Sequence, residues 1–273
     1  MDMTEHRCKK AKPMRVFLAF CGAFTAAYIG LAKPAMAQQQ TAAKSPVTID
    51  ATEFLEWNQT DGTYVAKGDV HVKQGGISIK ANHIVASYQP DSASTDLQRI
   101  IATGAVIYVN GYNQARGSKL DYYLSERVYE LSGPNARATS PDGEMTATTS
   151  ITYEEKNLDR QKVVAIGGAR YNHSNGRTIY GERLIAYLDA NGSLISIDAL
   201  GNTKLVTKQG TTATADKLNY VASASLANLY GNVEILEQDK LMRGARAEVD
   251  FDRDISRMLS DGTKKRVSGV LTP

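Results

Sequence analysis

The chain has 273 residues, a formal net charge of +3, 22% charged and 42% hydrophobic residues. About 236 residues remain beyond a predicted leader, which is enough to bury a sizeable hydrophobic core. The two cysteines of the chain, Cys8 and Cys21, both fall in this leader. The remainder therefore has no cysteine for a disulfide framework, a thiol nucleophile or a thiolate metal site.

Residues 1–37 have the three-part pattern of a secretory signal peptide. An apolar stretch, 16–31, follows a basic region, and Ala35 and Ala37 form a small-x-small cleavage site. This stretch is shorter than the ~20 residues of a spanning helix, so we favour cleavage over a membrane anchor. Cleavage removes six basic and two acidic residues, which changes the net charge from +3 to −1. The basic balance of the chain therefore gives no reason to expect a nucleic-acid partner.

Residues 38–46 are polar and predict a flexible lead-in. Strand patterns begin at Val47. Residues 64–88 predict two strands around a turn, because apolar residues alternate on both sides of 74–76. No segment shows a convincing helical period, and the best helical candidate, 181–190, falls where other units have a closing strand.

Six glycines each end a short apolar run: Gly68, Gly104, Gly133, Gly167, Gly201 and Gly231, with gaps of 36, 29, 34, 34 and 30 residues. Recurrence at this period is typical of stacked repeats, whose units cannot bury their apolar faces alone. We predict an all-β fold in which repeated antiparallel strand units stack as two facing sheets with open ends. One elongated domain would span residues 47–273. Six units at ~4.8 Å would give a stack on the order of 30 Å. Pro134, at the position of Ala105 and Asp69 in earlier units, predicts a bulge in the third unit.

A search for catalytic constellations finds no G-x-S-x-G, H-E-x-x-H or P-loop motif. His71 and His83 lie twelve residues apart on different predicted strands, which fits no local metal-ligand spacing. The alternating aspartates of 250–254 lack the glycine and glutamate that an EF-hand loop needs. We therefore predict that the protein is not an enzyme and needs no metal or cofactor.

KGDVHVKQGGISIKANHI (67–84) resembles the signature of the OstA-like family of lipopolysaccharide-transport periplasmic proteins, most closely its LptA-like branch. Echoes occur at 214–220 (TADKLNY) and 231–235 (GNVEI), and 266–273 (RVSGVLTP) is similar to the family's C-terminal ending. The resemblance implies a folded-over β-jellyroll that carries lipopolysaccharide across the periplasm without catalysis. It also implies head-to-tail self-association, with an LptC-like inner-membrane protein at one end and an LptD-like outer-membrane protein at the other.

An apolar interior between two sheets would shield acyl chains, since each methylene exposed to water costs ~0.8 kcal/mol. The candidate inward residues are Ile49, Val70, Val72, Ile77, Ile79, Ile84, Val106, Tyr108, Leu120, Tyr122, Ile151, Tyr153, Leu218, Tyr220, Val233 and Ile235. The candidate phosphate contacts are Lys264, Lys265 and Arg266.

Three alternatives remain open. The first is a membrane-anchored LptC-like component of the same export system, which requires that the chain is not cleaved after Ala37. The second is a structural β-solenoid that is packed solid. The third is a carbohydrate-active β-solenoid, which needs carboxylates clustered on one face.

Overall fold

The computed structural model describes residues 46–90, 97–157, 159–238, 240–260, 262 and 267–271. These residues form eighteen strands of one sheet, which confirms the predicted all-β fold. The strands are β1 (Val47–Asp50), β2 (Phe54–Asn58), β3 (Thr63–Gln74), β4 (Ile77–Tyr88), β5 (Leu97–Asn110), β6 (Asn113–Tyr123), β7 (Val128–Ser132), β8 (Ala136–Ser140), β9 (Gly143–Ala147), β10 (Ser150–Asn157), β11 (Arg160–His173), β12 (Thr178–Asp189), β13 (Leu194–Val206), β14 (Thr212–Val221), β15 (Leu226–Glu237), β16 (Lys240–Asp250), β17 (Ile255–Leu259) and β18 (Ser268–Leu271). In this described part, no helix has the length and apolarity of a membrane span.

Each long strand pairs antiparallel with the strands that precede and follow it along the chain. At one edge of the sheet, β1 and β2 both pair with β3. At the other edge, β17 and β18 both pair with β16. The described strands therefore form an open sheet with two edges and not a closed barrel.

The repeated glycines mark a corner at which the sheet folds over. All six have positive φ, from 72° to 124°. On β3, the corner is a β-bulge: Lys67 pairs with His83, but Val70 pairs with Ala81. The same one-residue shift recurs on β5, β11, β13 and β15. Bulges bend a strand and strengthen its twist, so each long strand contributes one half to each of two walls. We call them wall A, which contains β2, β7, β10 and β17, and wall B, which contains β1, β8, β9 and β18.

The third unit lacks a continuous strand through its corner. β7 ends at Ser132 and β8 begins at Ala136, so Gly133 and Pro134 lie outside both ladders. Proline has no backbone N–H to donate to a ladder. The irregularity predicted at Pro134 is confirmed, and it is a full break rather than a bulge.

The predicted length of the stack is wrong. Each wall is crossed by fourteen strands, because most units contribute a hairpin, and hence two strands, to each wall. At ~4.8 Å per strand, the stack is about 60 Å long. One sequence repeat corresponds to one hairpin, whereas the length of the stack is set by the number of strands.

The spacing of the inward residues across the corner differs between a bulged strand and its neighbour. On the bulged strand β3, the buried residues Ala66 and Val70 are four positions apart. Their partners on the neighbouring strand β4, Ile84 and Ala81, are three positions apart. The extra residue of each bulge thus keeps both halves of each strand facing the same core.

Candidate functional site

A row of apolar side chains crosses the inner face of wall B from β1 to β16. Its members are cross-strand partners: Ile49, Val72, Ile79, Tyr108, Ala115, Ala138, Met145, Tyr171, Ile179, Leu205, Ala213, Ile235 and Met242. All of them belong to the hydrophobic core or pack against it. No charged residue interrupts this row, so wall B presents a continuous apolar face to the space between the walls, which we call the interior.

The structure places every predicted inward residue in this core. Most are buried: Val70, Ile84, Val106, Tyr108, Leu120, Tyr122, Ile151, Tyr153, Leu218, Tyr220, Val233 and Ile235. Ile49, Val72, Ile77 and Ile79 are partly buried against it. Contact of these residues with lipid stays a prediction. The predicted sites at Ala35, Ala37, Lys264, Lys265 and Arg266 lie outside the described residues.

Apolar side chains at both ends of the stack are more exposed than those in its middle. Val72 and Ile79 on strands β3 and β4 are only partly buried, and Trp57 of β2 is 54% exposed. At the other end, Met242 of β16 and Met258 of β17 are likewise only partly buried. In contrast, Leu218 of β14 and Leu229 of β15 have no exposed surface. A hydrophobic molecule would therefore meet accessible apolar surface at either end of the stack.

Between the walls, near the middle of the stack, lies a cavity of about 100 Å³. Both walls line it, with Tyr129 and Tyr153 from wall A and Tyr108, Met145 and Tyr171 from wall B. Pockets for small-molecule ligands usually have roughly 300–1,000 Å³. A long acyl chain would therefore fit here only if the walls move apart.

The tyrosines beside this cavity form a cluster. The rings of Tyr122 and Tyr129 stack with centroids 3.9 Å apart, and Tyr129 lies 5.8 Å from Tyr153 and 6.4 Å from Tyr108. The Tyr108–Tyr129 contact joins the two walls. Burial raises the pKa of all four hydroxyls, and the charge of nearby Glu155 raises each pKa further. Burial likewise raises the pKa of the Glu155 carboxyl.

A second contact between the walls closes the C-terminal half of the mouth, the gap between the outer ends of the walls. Arg177 Nη1 donates a hydrogen bond to the Tyr220 hydroxyl at 3.2 Å, and its guanidinium lies 4.1 Å from the ring centroid of Phe251. Burial, followed by the charge of Arg177, lowers the pKa of His173 beside them. The sequence analysis placed Tyr220 on the inner face but did not predict its contact with Arg177, because the two residues are far apart in the chain and share no local motif.

An ion-pair network lies on the outer face of wall A. The Asp121 carboxylate, 8% exposed, accepts hydrogen bonds from Arg99 Nε at 2.7 Å and Arg99 Nη2 at 2.6 Å, and from Lys119 Nζ at 3.0 Å. The hydrogen bonds from Arg99 hold the pKa of Asp121 below its usual value, although burial opposes them. No group of three or more potential metal ligands occurs among the described residues.

Comparison with known proteins gives one family. Residues 48–159 match the family described as LptA/(LptD N-terminal domain) LPS transport protein. The solved structures include LptH from Pseudomonas aeruginosa, described as the LptA homologous periplasmic component of the conserved lipopolysaccharide transport device. It has 13% sequence identity and a TM-score of 0.22 over 84% of this chain and 96% of that chain. This TM-score is too low to support an argument, and no curated protein matches the sequence. Residues 48–159 are therefore similar to the LptA/LptD N-terminal family of LPS transport proteins.

Proposed function

We propose that this protein is a periplasmic carrier that holds the acyl chains of lipopolysaccharide in its interior and performs no chemistry on them. In this role its leader is cleaved after Ala37, and the protein works between an LptC-like inner-membrane protein and an LptD-like outer-membrane protein. The similarity of residues 48–159 to a family of LPS transport proteins supports transport of lipopolysaccharide.

The observation that carries the proposal is the unbroken apolar row on wall B. It extends over about 60 Å at ~4.8 Å per strand, from the edge strand β1 to β16, which lies next to the edge strand β18. A lipid with several long chains loses ~0.8 kcal/mol for each methylene exposed to water. A continuous apolar row that runs nearly from edge to edge suits passage of chains from one protein to the next.

The gap between walls A and B must widen during transport. The cavity holds about 100 Å³, and the walls touch across the mouth at Tyr108–Tyr129 and at Arg177–Tyr220. These contacts are a ring contact and a hydrogen bond, each worth about 1 kcal/mol. Burial of a few methylenes would offset their loss.

The test is a photocrosslink in living cells. A photoreactive residue replaces Ile79, which faces the interior, and a control replaces Lys80, the exposed next residue of β4. We expect a lipopolysaccharide adduct at position 79 and none at position 80. If neither position reacts in folded, exported protein, transport in the interior is refuted and a structural solenoid is favoured.

The two open edges support head-to-tail self-association. β1, β2 and the residues between them carry Asp50, Glu53 and Glu56 and no lysine or arginine. The sequence of β17, β18 and the residues between them has one acidic residue, Asp261, and four basic ones: Arg257, Lys264, Lys265 and Arg266. Unpaired strand edges can add a strand from another molecule through main-chain hydrogen bonds. Complementary charge would direct the acidic edge of one copy to the basic edge of the next.

Charge-reversed variants test this assembly. Glu56→Lys and Arg257→Glu should each weaken self-association in analytical ultracentrifugation, and salt should weaken the wild type. A mixture of the two variants should regain long chains in which the variants alternate, because both kinds of edge contact between unlike copies bring opposite charges together. Association that responds to neither variant nor salt would contradict this orientation.

A further inference from the structure

Two buried polar atoms beside the cavity have no hydrogen-bond partner among the described residues: the Tyr108 hydroxyl and Glu155 Oε2. Tyr108 is 4% exposed and Glu155 is 3% exposed. The side chain of Asn110 lies near the Tyr108 hydroxyl, but without the geometry of a hydrogen bond. More than about 90% of buried polar groups in proteins have a partner, so each exception needs an explanation.

The neighbouring hydroxyls differ in this respect. Tyr153 donates a hydrogen bond to Gln161 Oε1 at 2.7 Å, and Tyr171 donates to the Asp142 carbonyl oxygen at 3.2 Å. The Tyr108 hydroxyl on wall B and Glu155 Oε2 on wall A have no such partner among the described residues, and the two groups are close enough for the charge of Glu155 to raise the pKa of Tyr108.

The position of these atoms suits an amphiphile. Tyr108 lines the cavity. Glu155 lies two residues beyond Tyr153 on β10, toward the outer end of wall A, which is the mouth of the interior. Apolar surface therefore lies deep and polar atoms lie toward the mouth, in the same order as the chain and the polar end of a lipid.

An apolar residue at either position would be less costly to the folded protein. A buried polar atom without a partner costs roughly 1–3 kcal/mol, and replacing such groups by apolar ones of similar shape is often neutral or stabilising. A ligand that supplies the missing hydrogen bonds accounts for polar groups at both positions.

We propose that Tyr108 and Glu155 form the polar end of an acyl-chain subsite and bind the hydroxyl or amide group that joins a lipid chain to its headgroup. This inference rests on the proposed function, because it assumes that acyl chains enter the interior. The cavity lined by Tyr129, Met145 and Tyr171 receives the adjoining part of the chain.

The test compares two probes of equal chain length on the purified protein. N-(2-hydroxyethyl)dodecanamide carries hydrogen-bond donors next to the chain, whereas methyl dodecanoate carries none. Wild-type protein should bind the amide about threefold to tenfold more tightly than the ester, which corresponds to one or two net hydrogen bonds. Equal affinities would overturn the subsite, since the two atoms would then hold only water.

Three variants locate the effect. Tyr108→Phe and Glu155→Met should each bring the ratio of the two affinities toward one. Tyr88→Phe is the control: this buried tyrosine does not line the cavity, and its hydroxyl accepts a hydrogen bond from Trp57 Nε1 at 2.8 Å, so the ratio should stay at the wild-type value. A ratio that survives in both Tyr108→Phe and Glu155→Met refutes the assignment.

Two further measurements distinguish this proposal from a purely structural role of Glu155 and from a failure of the proposed lipid-carrying function. Glu155→Met should keep or raise the melting temperature without ligand, and a marked decrease would show that the carboxylate has a structural role instead. If neither probe binds and the Ile79 photocrosslink also fails, the lipid-carrying function is refuted with the subsite. If the photocrosslink succeeds and the probes bind equally, only the subsite is refuted.

Discussion

Replacement of Asp121 by asparagine is a sharp test of the ion pairs on wall A. Asp121→Asn keeps the size of the side chain but removes its charge, so the hydrogen bonds from Arg99 and Lys119 lose their ionic partner. Hydrogen bonds to charged groups contribute about 1.5–3 kcal/mol, and breaking a fully buried pair costs about 3–5 kcal/mol. The side chains of Arg99 and Lys119 are 38% and 41% exposed and can regain water. We therefore expect a loss of about 2–3 kcal/mol in the free energy of unfolding at neutral pH.

The effect should depend on pH with a definite sign. The folded-state pKa of Asp121 is lowered, whereas the unfolded value is about 3.9. The carboxylate thus stabilises the fold fully above about pH 4, and this contribution is lost as pH falls through the lower folded pKa. The difference between wild type and Asp121→Asn should shrink below about pH 4.

Urea unfolding at pH 7 and at pH 3 measures both quantities. A double-mutant cycle with Arg99→Met isolates the coupling of the pair from other effects of each substitution. A cost below about 0.5 kcal/mol at pH 7 would place this network with ordinary surface pairs. A cost that is equal at both pH values would refute the electrostatic explanation.

Two further substitutions probe the corner and the mouth. Gly231→Ala should lower the free energy of unfolding by about 1–2 kcal/mol, because φ is 76° and a Cβ would clash with Asp216 Oδ2. The control Gly76→Ala should be neutral in the same urea titration, because no atom lies within 4 Å of the added Cβ. Arg177→Met should cost about 1–2 kcal/mol through the lost hydrogen bond and cation–π contact. It should also speed amide hydrogen exchange in the strands beneath it, whereas Arg170→Met on the outer face should leave exchange there unchanged. Slower or equal exchange in Arg177→Met would show that this contact does not hold the walls together.

Much of the fold could be predicted because its rules are local. The alternation of apolar residues predicted that Val72 and Ile79 face inward. The recurring glycine marked each corner, because the backbone there has a positive φ and a neighbouring side chain leaves no room for a Cβ atom. Pro134 located the broken unit for an equally local reason. These features depend on one or two residues and repeat down the chain.

The remainder depends on which residues meet across the interior. Arg177 reaches Tyr220 over 43 positions of sequence, and Tyr108 meets Tyr129 only because the sheet folds over. The burial of Glu155 likewise follows from the closing of two walls and has no sequence signature. The repeat also concealed the length of the stack, because one glycine marks a hairpin and not a single strand.

The pairing of each strand with its neighbours along the chain also bears on how the protein forms. Nearly every long strand completes its ladders within one or two hairpins, so loop-closure entropy stays small and an all-β chain gains a short folding route. Each hairpin that has formed exposes an unpaired strand edge, and the next hairpin pairs with this edge. Among the described strands, β17 and β18 form an edge with no further partner, so docking of another molecule at that edge would continue, between chains, the same process that folded the first.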